Sequence, residues 1–222
     1  PGAAPVRSSD EGNLSFNPND GLFVHTVKRG GTYGRSVAIA TTRDFKMWDD
    51  YGVVFQTDET DQIRCRQIVD AYMANSSPLD VELPADDDPD WAWHNVDVYN
   101  MGVFDYEGIY IGLPAVYFRR GKRYSKCIVC FTAIELTCSR DLKDWTRLGE
   151  RQPFIPCSQP GMGAYDLSKN LPPSNAVVRG DELWFYYTGI KSQGSQLRPD
   201  PDRAAVCLAV LRRDGFVSMD AG

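Results

Sequence analysis

The side chains best able to do chemistry in this sequence fall into a few groups. Cys127-Ile-Val-Cys130 has the C-x-x-C spacing of a metal or redox pair. No second pair follows, and His25 and His94 lie far off along the chain. The surrounding run from Lys126 to Leu136 is apolar, so both thiols are expected as small hydrophobes in a buried strand. The run Ala85 to Asp90 is rich in carboxylates, but it lacks the alternating spacing of a calcium loop and reads as a solvated acidic loop. No metal and no cofactor is expected. Phosphate loops, dinucleotide fingerprints, the Gly-x-Ser-x-Gly elbow and His-Glu-x-x-His do not occur. Glu135, inside a strand-like run, is expected in a structural ion pair. Asp20, in Asn-Asp-Gly, reads as a turn residue, and Arg179-Gly-Asp181 as an ordinary hairpin turn. A denser group runs from Trp91 through Trp93 and His94 to Asp97, with Tyr99 and Asn100 just beyond; a second is Tyr165-Asp166.

The elements that would carry these groups are almost all strands. Short apolar runs cover residues 22–27, 36–41, 52–56, 98–104, 109–117, 127–138, 175–178, 183–188 and 205–211. They are separated by Gly-bearing hairpin signals at 28–31, 106–108, 119–121 and 179–181. Helical period is nearly absent. The sequence therefore predicts an all-β protein, read as one domain or part of one over residues 1–222, with a polar, acidic loop inserted at about 58–95.

Bulk properties narrow the function. The net charge is −6 and no Lys/Arg-rich block interrupts the acidic balance, which argues against a nucleic-acid partner. The longest apolar stretches, such as 204–211, fall far short of the roughly 20 residues a membrane helix needs, so no membrane partner is expected. The opening Pro-Gly-Ala-Ala-Pro has neither a basic nor an apolar leader region, and the chain reads as a processed or truncated product. Two glycosylation sequons, at Asn13 and Asn75, favour an extracellular or secretory location. Aromatic residues make up 12% of the chain, a level that suits strands and also sites for flat polar ligands such as sugars.

An internal repeat gives the strongest organising signal. Thr42-Arg-Asp-Phe-Lys-Met-Trp48 recurs as Ser139-Arg-Asp-Leu-Lys-Asp-Trp145, each after an apolar strand and before another strand-like stretch (51–56 and 151–155). A degenerate third copy is Arg212-Arg-Asp-Gly-Phe216. The Ser/Thr and Asp can bond nearby backbone amides and fix a tight turn. The Trp is expected to fold back over it, making each copy the outer hairpin of a repeated β unit.

The S-x-D-[LF]-x-x-W pattern after an apolar strand resembles the blade hairpins of glycoside hydrolase families 32, 43 and 68, whose catalytic domains are five-bladed propellers. Asp97-Val-Tyr-Asn-Met-Gly-Val-Phe followed by 106–113 is similar to their blade openings. So are 147–156, Gly163-Ala-Tyr-Asp166, and 175–189. The likeness spans roughly residues 20–220 and covers about three blades. It implies that the remaining blades come from residues before Pro1 or from another chain. It also implies a carbohydrate partner and catalytic carboxylates facing a central funnel: Asp97 as transition-state stabiliser or acid modulator, and Asp166 in the general acid's place. That place normally holds Glu, and the first-blade nucleophile motifs of these families do not occur. His94, Tyr99, Asn100, Tyr165 and Arg151 are the substrate-binding candidates on this likeness. A glycosidase needs its carboxyl pair about 5–5.5 Å apart for retention or about 6.5–9.5 Å for inversion. The alternative is a non-catalytic propeller that binds carbohydrate or protein.

Overall fold

The computed structural model describes residues 6–8, 10–75, 95–120, 129–159, 163–191 and 202–216. It is mostly β, with thirteen strands, one α-helix and a short 3₁₀ turn among the described residues. The first four strands, β1 (Gly12–Asn17), β2 (Leu22–Gly31), β3 (Gly34–Thr42) and β4 (Asp49–Phe55), form an antiparallel sheet in chain order. Alternation decides its faces. Val24, Val37 and Ile39 point one way and are buried, whereas Val27, Ala38 and Ala40 point the other way.

The other nine strands form one sheet that divides into two antiparallel groups. In the first group, β5 (Val96–Tyr106) pairs β6 (Ile109–Arg120), and β6 pairs both β7 (Val129–Ile134) and β8 (Thr137–Ser139). The latter two are one strand broken at Glu135, and β9 (Thr146–Arg147) borders β8. In the second group, β10 (Lys169–Leu171) and β11 (Val177–Arg179) lie along one side of β12 (Glu182–Ile190), and β13 (Ala204–Arg212) lies along the other. A single parallel pair, Lys169 with Thr132, joins the groups. Neither sheet closes on itself among the described residues.

The three groups stack through apolar faces. Val98, Met101 and Val103 of β5 pack on Val24, Val37 and Ile39. The opposite face, with Phe104, Ile111 and Leu113, packs on Leu183, Phe185 and Tyr187 of β12. The middle group is thus covered on both sides, as sheets with apolar residues on both faces must be.

The repeated motif builds the same turn twice. Thr42 Oγ1 accepts from the amides of Asp44 and Phe45, and Asp44 Oδ1 from those of Lys46 and Met47, at 2.8–3.3 Å. Ser139 and Asp141 repeat all four bonds at 2.9–3.2 Å. Phe45 and Leu142 both take a left-handed backbone, with φ of 58° and 66°. Trp145 folds back as expected, its Nε1 donating to Leu142 O at 3.1 Å. A Cβ on Gly112 would lie 2.7 Å from its ring, so glycine is required there. The third copy differs: Asp214 is left-handed, but its carboxylate accepts from Tyr106 across 2.6 Å.

Two expectations are corrected. The insert is not a loop throughout, because Glu59–Ala74 forms α1. Its N-terminus is a capping box, with Asp58 accepting from the Asp61 amide and Asp61 from that of Asp58. Its apolar residues Cys65 and Val69 settle on Val96, Val116 and Phe118. The acidic run 85–90 lies outside the described residues, as does Cys127. The stretch 151–155 is not a strand. It continues a 3₁₀ turn (Gly149–Arg151), and only Ile155 bridges to Ile134. Strand β1 and the short β9 were not foreseen.

Candidate active site

Strand register gathers the site. Asp97 on β5 is opposite Tyr117 on β6, Tyr117 is opposite Thr132 on β7, and Thr132 is opposite Lys169 on β10. Four side chains from four strands therefore lie in one row at one end of the sheet. Arg35, from the β2–β3 hairpin end of the first sheet, reaches onto this row. Its Nε and Nη2 bond the two oxygens of Asp97 at 2.9 and 2.7 Å, a bidentate charge-assisted pair. The Asp97 side chain is 1% exposed and that of Arg35 19%.

A β-bulge shapes the surroundings. Val98 pairs with Val116 and Asn100 with Ala115, which leaves Tyr99 as the extra residue. Bulges re-aim side chains, and here Tyr99 is aimed into a basic and aromatic cluster. Its ring stacks at 6.1 Å on Tyr117. Lys28 Nζ, the Arg35 guanidinium and Lys169 Nζ sit 3.9, 4.9 and 5.4 Å from the centre of the Tyr99 ring. The Tyr99 hydroxyl donates to Glu11 at 3.2 Å, and burial, helped by the Glu11 charge, pushes its pKa up to about 12. Lys28 is paired with Asp10 at 2.6 Å. Asn100 is half-buried, its Oδ1 buried without a hydrogen bond among the described residues.

Asp166 stands three residues before Lys169, buried at the approach to β10. Its Oδ2 accepts from the Tyr187 hydroxyl at 2.6 Å. Burial, then the hydrogen bond to Asp166, raises the Tyr187 phenol well above its usual range. The thiol of Cys157 is pushed up to about 12 by burial, with Asp166 adding to it. Asp166 is thus buried with Tyr187 as its donor.

The remaining candidates disperse. Tyr165 donates to Asp202, which also pairs with Lys191 at 2.8 Å. Arg151 does not join Asp97. It bonds Asp58 at 2.7 Å and Asp61 at 2.9 Å at the start of α1. Its neighbour Arg147 bridges Asp61 and Glu135, so Glu135 is the structural ion pair expected of it. Arg151, Arg147 and Asp58 border a cavity of about 510 Å³ between β4, α1 and β9. Asp20 is a turn residue, accepting from the Leu22 amide. His94, Trp91 and Trp93 lie outside the described residues. Sequence reasoning missed Arg35, Lys28, Tyr117 and Lys169. The one available signal was charge: Lys28, Arg29 and Arg35 cluster at the tip of one hairpin.

No family profile matches the chain, and no curated protein sequence matches it. Solved structures do resemble it. β-1,2-Mannobiose phosphorylase from Listeria innocua is similar over 90% of this chain, with a TM-score of 0.50 and 14% identity, and the match takes up 40% of that protein. Zg3597, a family 117 glycoside hydrolase from Zobellia galactanivorans, is similar over 80% of this chain and 47% of its own, at 13% identity and a TM-score of 0.47. An N-acetylgalactosamine deacetylase from F. plautii is similar over 81% and 40%, at 10% identity and a TM-score of 0.45. The chain spans less than half of each. At these identities the likeness is one of fold, which many chemistries share.

Proposed function

We propose that this chain is part of a β-propeller that acts on a glycan through carboxylates at the row end of its sheets. The observation that carries the reading is the Asp97–Arg35 pair, set in line with Tyr117, Thr132 and Lys169 beside the bulged Tyr99. Asp97, with both oxygens held by a guanidinium, fits a fixed negative charge that stabilises a cationic, oxocarbenium-like centre. Asp166, buried with the Tyr187 hydroxyl as its donor, fits the second carboxyl group that glycoside chemistry needs. Tyr99, Asn100 and Tyr117 would take the faces and hydroxyls of the sugar. Tyr165 would serve as a rim residue, and His94 would reach a sugar hydroxyl. Arg151 belongs to the ion network at α1 and is assigned no substrate contact. Secretion suits such a protein.

The test is turnover of an oligosaccharide panel by the natural polypeptide, with and without inorganic phosphate, alongside Asp97→Asn and Asp166→Asn. Loss of turnover by about 10²-fold or more in both variants, with sugar binding kept, supports the reading. The second reading, a non-catalytic glycan-binding propeller, is favoured by Asp97 being fully engaged by Arg35. It predicts binding with no turnover in any variant.

A further inference from the structure

The cavity of about 510 Å³ between β4, α1 and β9 lies within the roughly 300–1,000 Å³ of small-molecule sites. Phe55 and Trp145 supply its aromatic wall. Phe55 is buried, and the Trp145 ring is fixed by its bond to Leu142 and by Gly112 lying against it. The polar side chains around it are of two kinds. Arg147, Arg151 and Asp58 are engaged with one another through the buried carboxylates Asp61 and Glu135. Arg64 and Gln56 are not. The Arg64 guanidinium makes a single hydrogen bond among the described residues, from Nη1 to the Glu150 carbonyl at 3.1 Å. Gln56 accepts from the Thr32 amide at 3.0 Å through Oε1, which leaves its NH2 group unbonded among the described residues. Open donors beside a rigid aromatic ring suit a small polar ligand.

Charge balance decides the class of that ligand. An anion at Arg64 would stand near the carboxylates of Asp58 and Glu150, and a cation at Glu150 near Arg64, Arg147 and Arg151. Each would lose to its other neighbours much of what its partner gives. A neutral polyhydroxylated ring meets neither penalty. Its C–H face fits the aromatic wall, and its hydroxyls accept from Arg64 and Gln56 and donate to Asp58 or Glu150. The cavity is also separate from the row of Asp97. On α1, Gln62 faces the start of β5, donating to the Val96 carbonyl and accepting from the Asn95 amide, both at 2.8 Å. Arg64, two residues on, lies about 200° round the helix and so on its other flank. Asp97, Tyr117, Thr132 and Lys169 take no part in the cavity wall.

We propose that this cavity is a second ligand site, taking a neutral sugar ring against Trp145 with Arg64 as its main donor. The proposal rests on the lining of the cavity and not on the chemistry of Asp97. It is tested by calorimetric titration of the natural polypeptide with the methyl glycosides of glucose, mannose, galactose, xylose and arabinose, and with glucuronate and glucosamine as charged counterparts. The variants are Arg64→Ala, Asp97→Asn and, as a control on α1, Ile63→Ala, whose side chain is 71% exposed. Alanine is a strong helix former, so α1 is kept in both helix variants. The expected result is millimolar binding of at least one neutral glycoside, unchanged in Asp97→Asn and Ile63→Ala and weakened at least about 10-fold in Arg64→Ala, as for one charged hydrogen bond lost. No saturable binding up to about 50 mM would overturn the proposal. Binding abolished by Asp97→Asn and untouched by Arg64→Ala would also overturn it, and would place the sugar in the row instead. Equal losses in Arg64→Ala and Ile63→Ala would reduce Arg64 to a support of the helix, and tighter Arg64-dependent binding of glucuronate or glucosamine would refute the neutral class.

Discussion

Removing either partner of the Asp97–Arg35 pair should destabilise the protein, and by unequal amounts. Arg35→Met leaves the Asp97 carboxylate 1% exposed with its guanidinium gone. Breaking a buried pair from that side costs about 3–5 kcal/mol, and the near-complete burial places it toward the upper end. Asp97→Leu leaves Arg35, which is 19% exposed and rests 4.3 Å from the centre of the Tyr117 ring, so water and the ring face soften the loss. That variant should cost about 2–3 kcal/mol. The double variant replaces an ion pair with apolar side chains and should lie well below the sum, giving a coupling of about 2 kcal/mol or more. Urea unfolding followed by Trp fluorescence measures all three, with an unchanged m-value as the check that the unfolded state is the same. Costs under about 1 kcal/mol for both single variants, or strict additivity, would refute the reasoning that this pair joins the two sheets.

Other expectations follow from single features. Ser139→Ala removes the acceptor for two turn amides and should cost about 1–2 kcal/mol by thermal or chemical unfolding. Glu150 sits at φ 52° on an exposed turn, so Glu150→Gly should raise stability by about 0.5–1 kcal/mol, whereas Glu150→Val should lower it. The Asp58 carboxyl is held at about 2 by its Arg151 bonds, so its contribution is present above the unfolded value of 3.8 and is lost as pH falls from about 4 to about 2. The face value of about 2 kcal/mol shrinks to about 1 kcal/mol or less because the side chain is half exposed. Asp58→Asn should flatten the acid limb of the stability–pH curve by that amount. Glu135 acts in the opposite sense. Burial raises its pKa, so its effect is most favourable at low pH and is lost as pH rises. The Cys65 and Cys157 thiols, both pushed to about 12 by burial, should resist alkylation at pH 8 in the native protein and react readily once it is unfolded.

The strands were legible because alternation is local. The runs at 22–27, 36–41 and 183–188 fall inside β2, β3 and β12. The repeated turn was legible because a hydroxyl, a carboxylate and a Trp at fixed offsets satisfy backbone donors within six residues. Helix α1 was missed although Cys65, Ile68, Val69, Tyr72 and Met73 follow a helical spacing. The Arg, Gln and Asp residues between them lowered the hydrophobic signal below notice. The candidate site was legible in Asp97, Tyr99 and Asn100, which share one strand, and not in the residues that other strands bring to them. That Arg35 would find Asp97, 62 residues away, depends on how two sheets stack, and no local pattern records it. The bulge at Tyr99 is likewise a property of the β5–β6 pairing, invisible in either strand alone. The partners of Arg151 were illegible for a related reason: Asp58 and Asp61 stand at the start of the helix the sequence did not reveal.

The central claim, a glycan held at the row of Asp97, Tyr117 and Lys169, is tested most directly by a crystal structure of the natural polypeptide soaked with an oligosaccharide that it binds. The account predicts a sugar ring beside Tyr99 and Tyr117, with Asp97 and Asp166 flanking one glycosidic bond and their carboxyl groups about 5–9.5 Å apart. A sugar bound elsewhere, or the two carboxyl groups well beyond that separation on either side of it, would contradict the account.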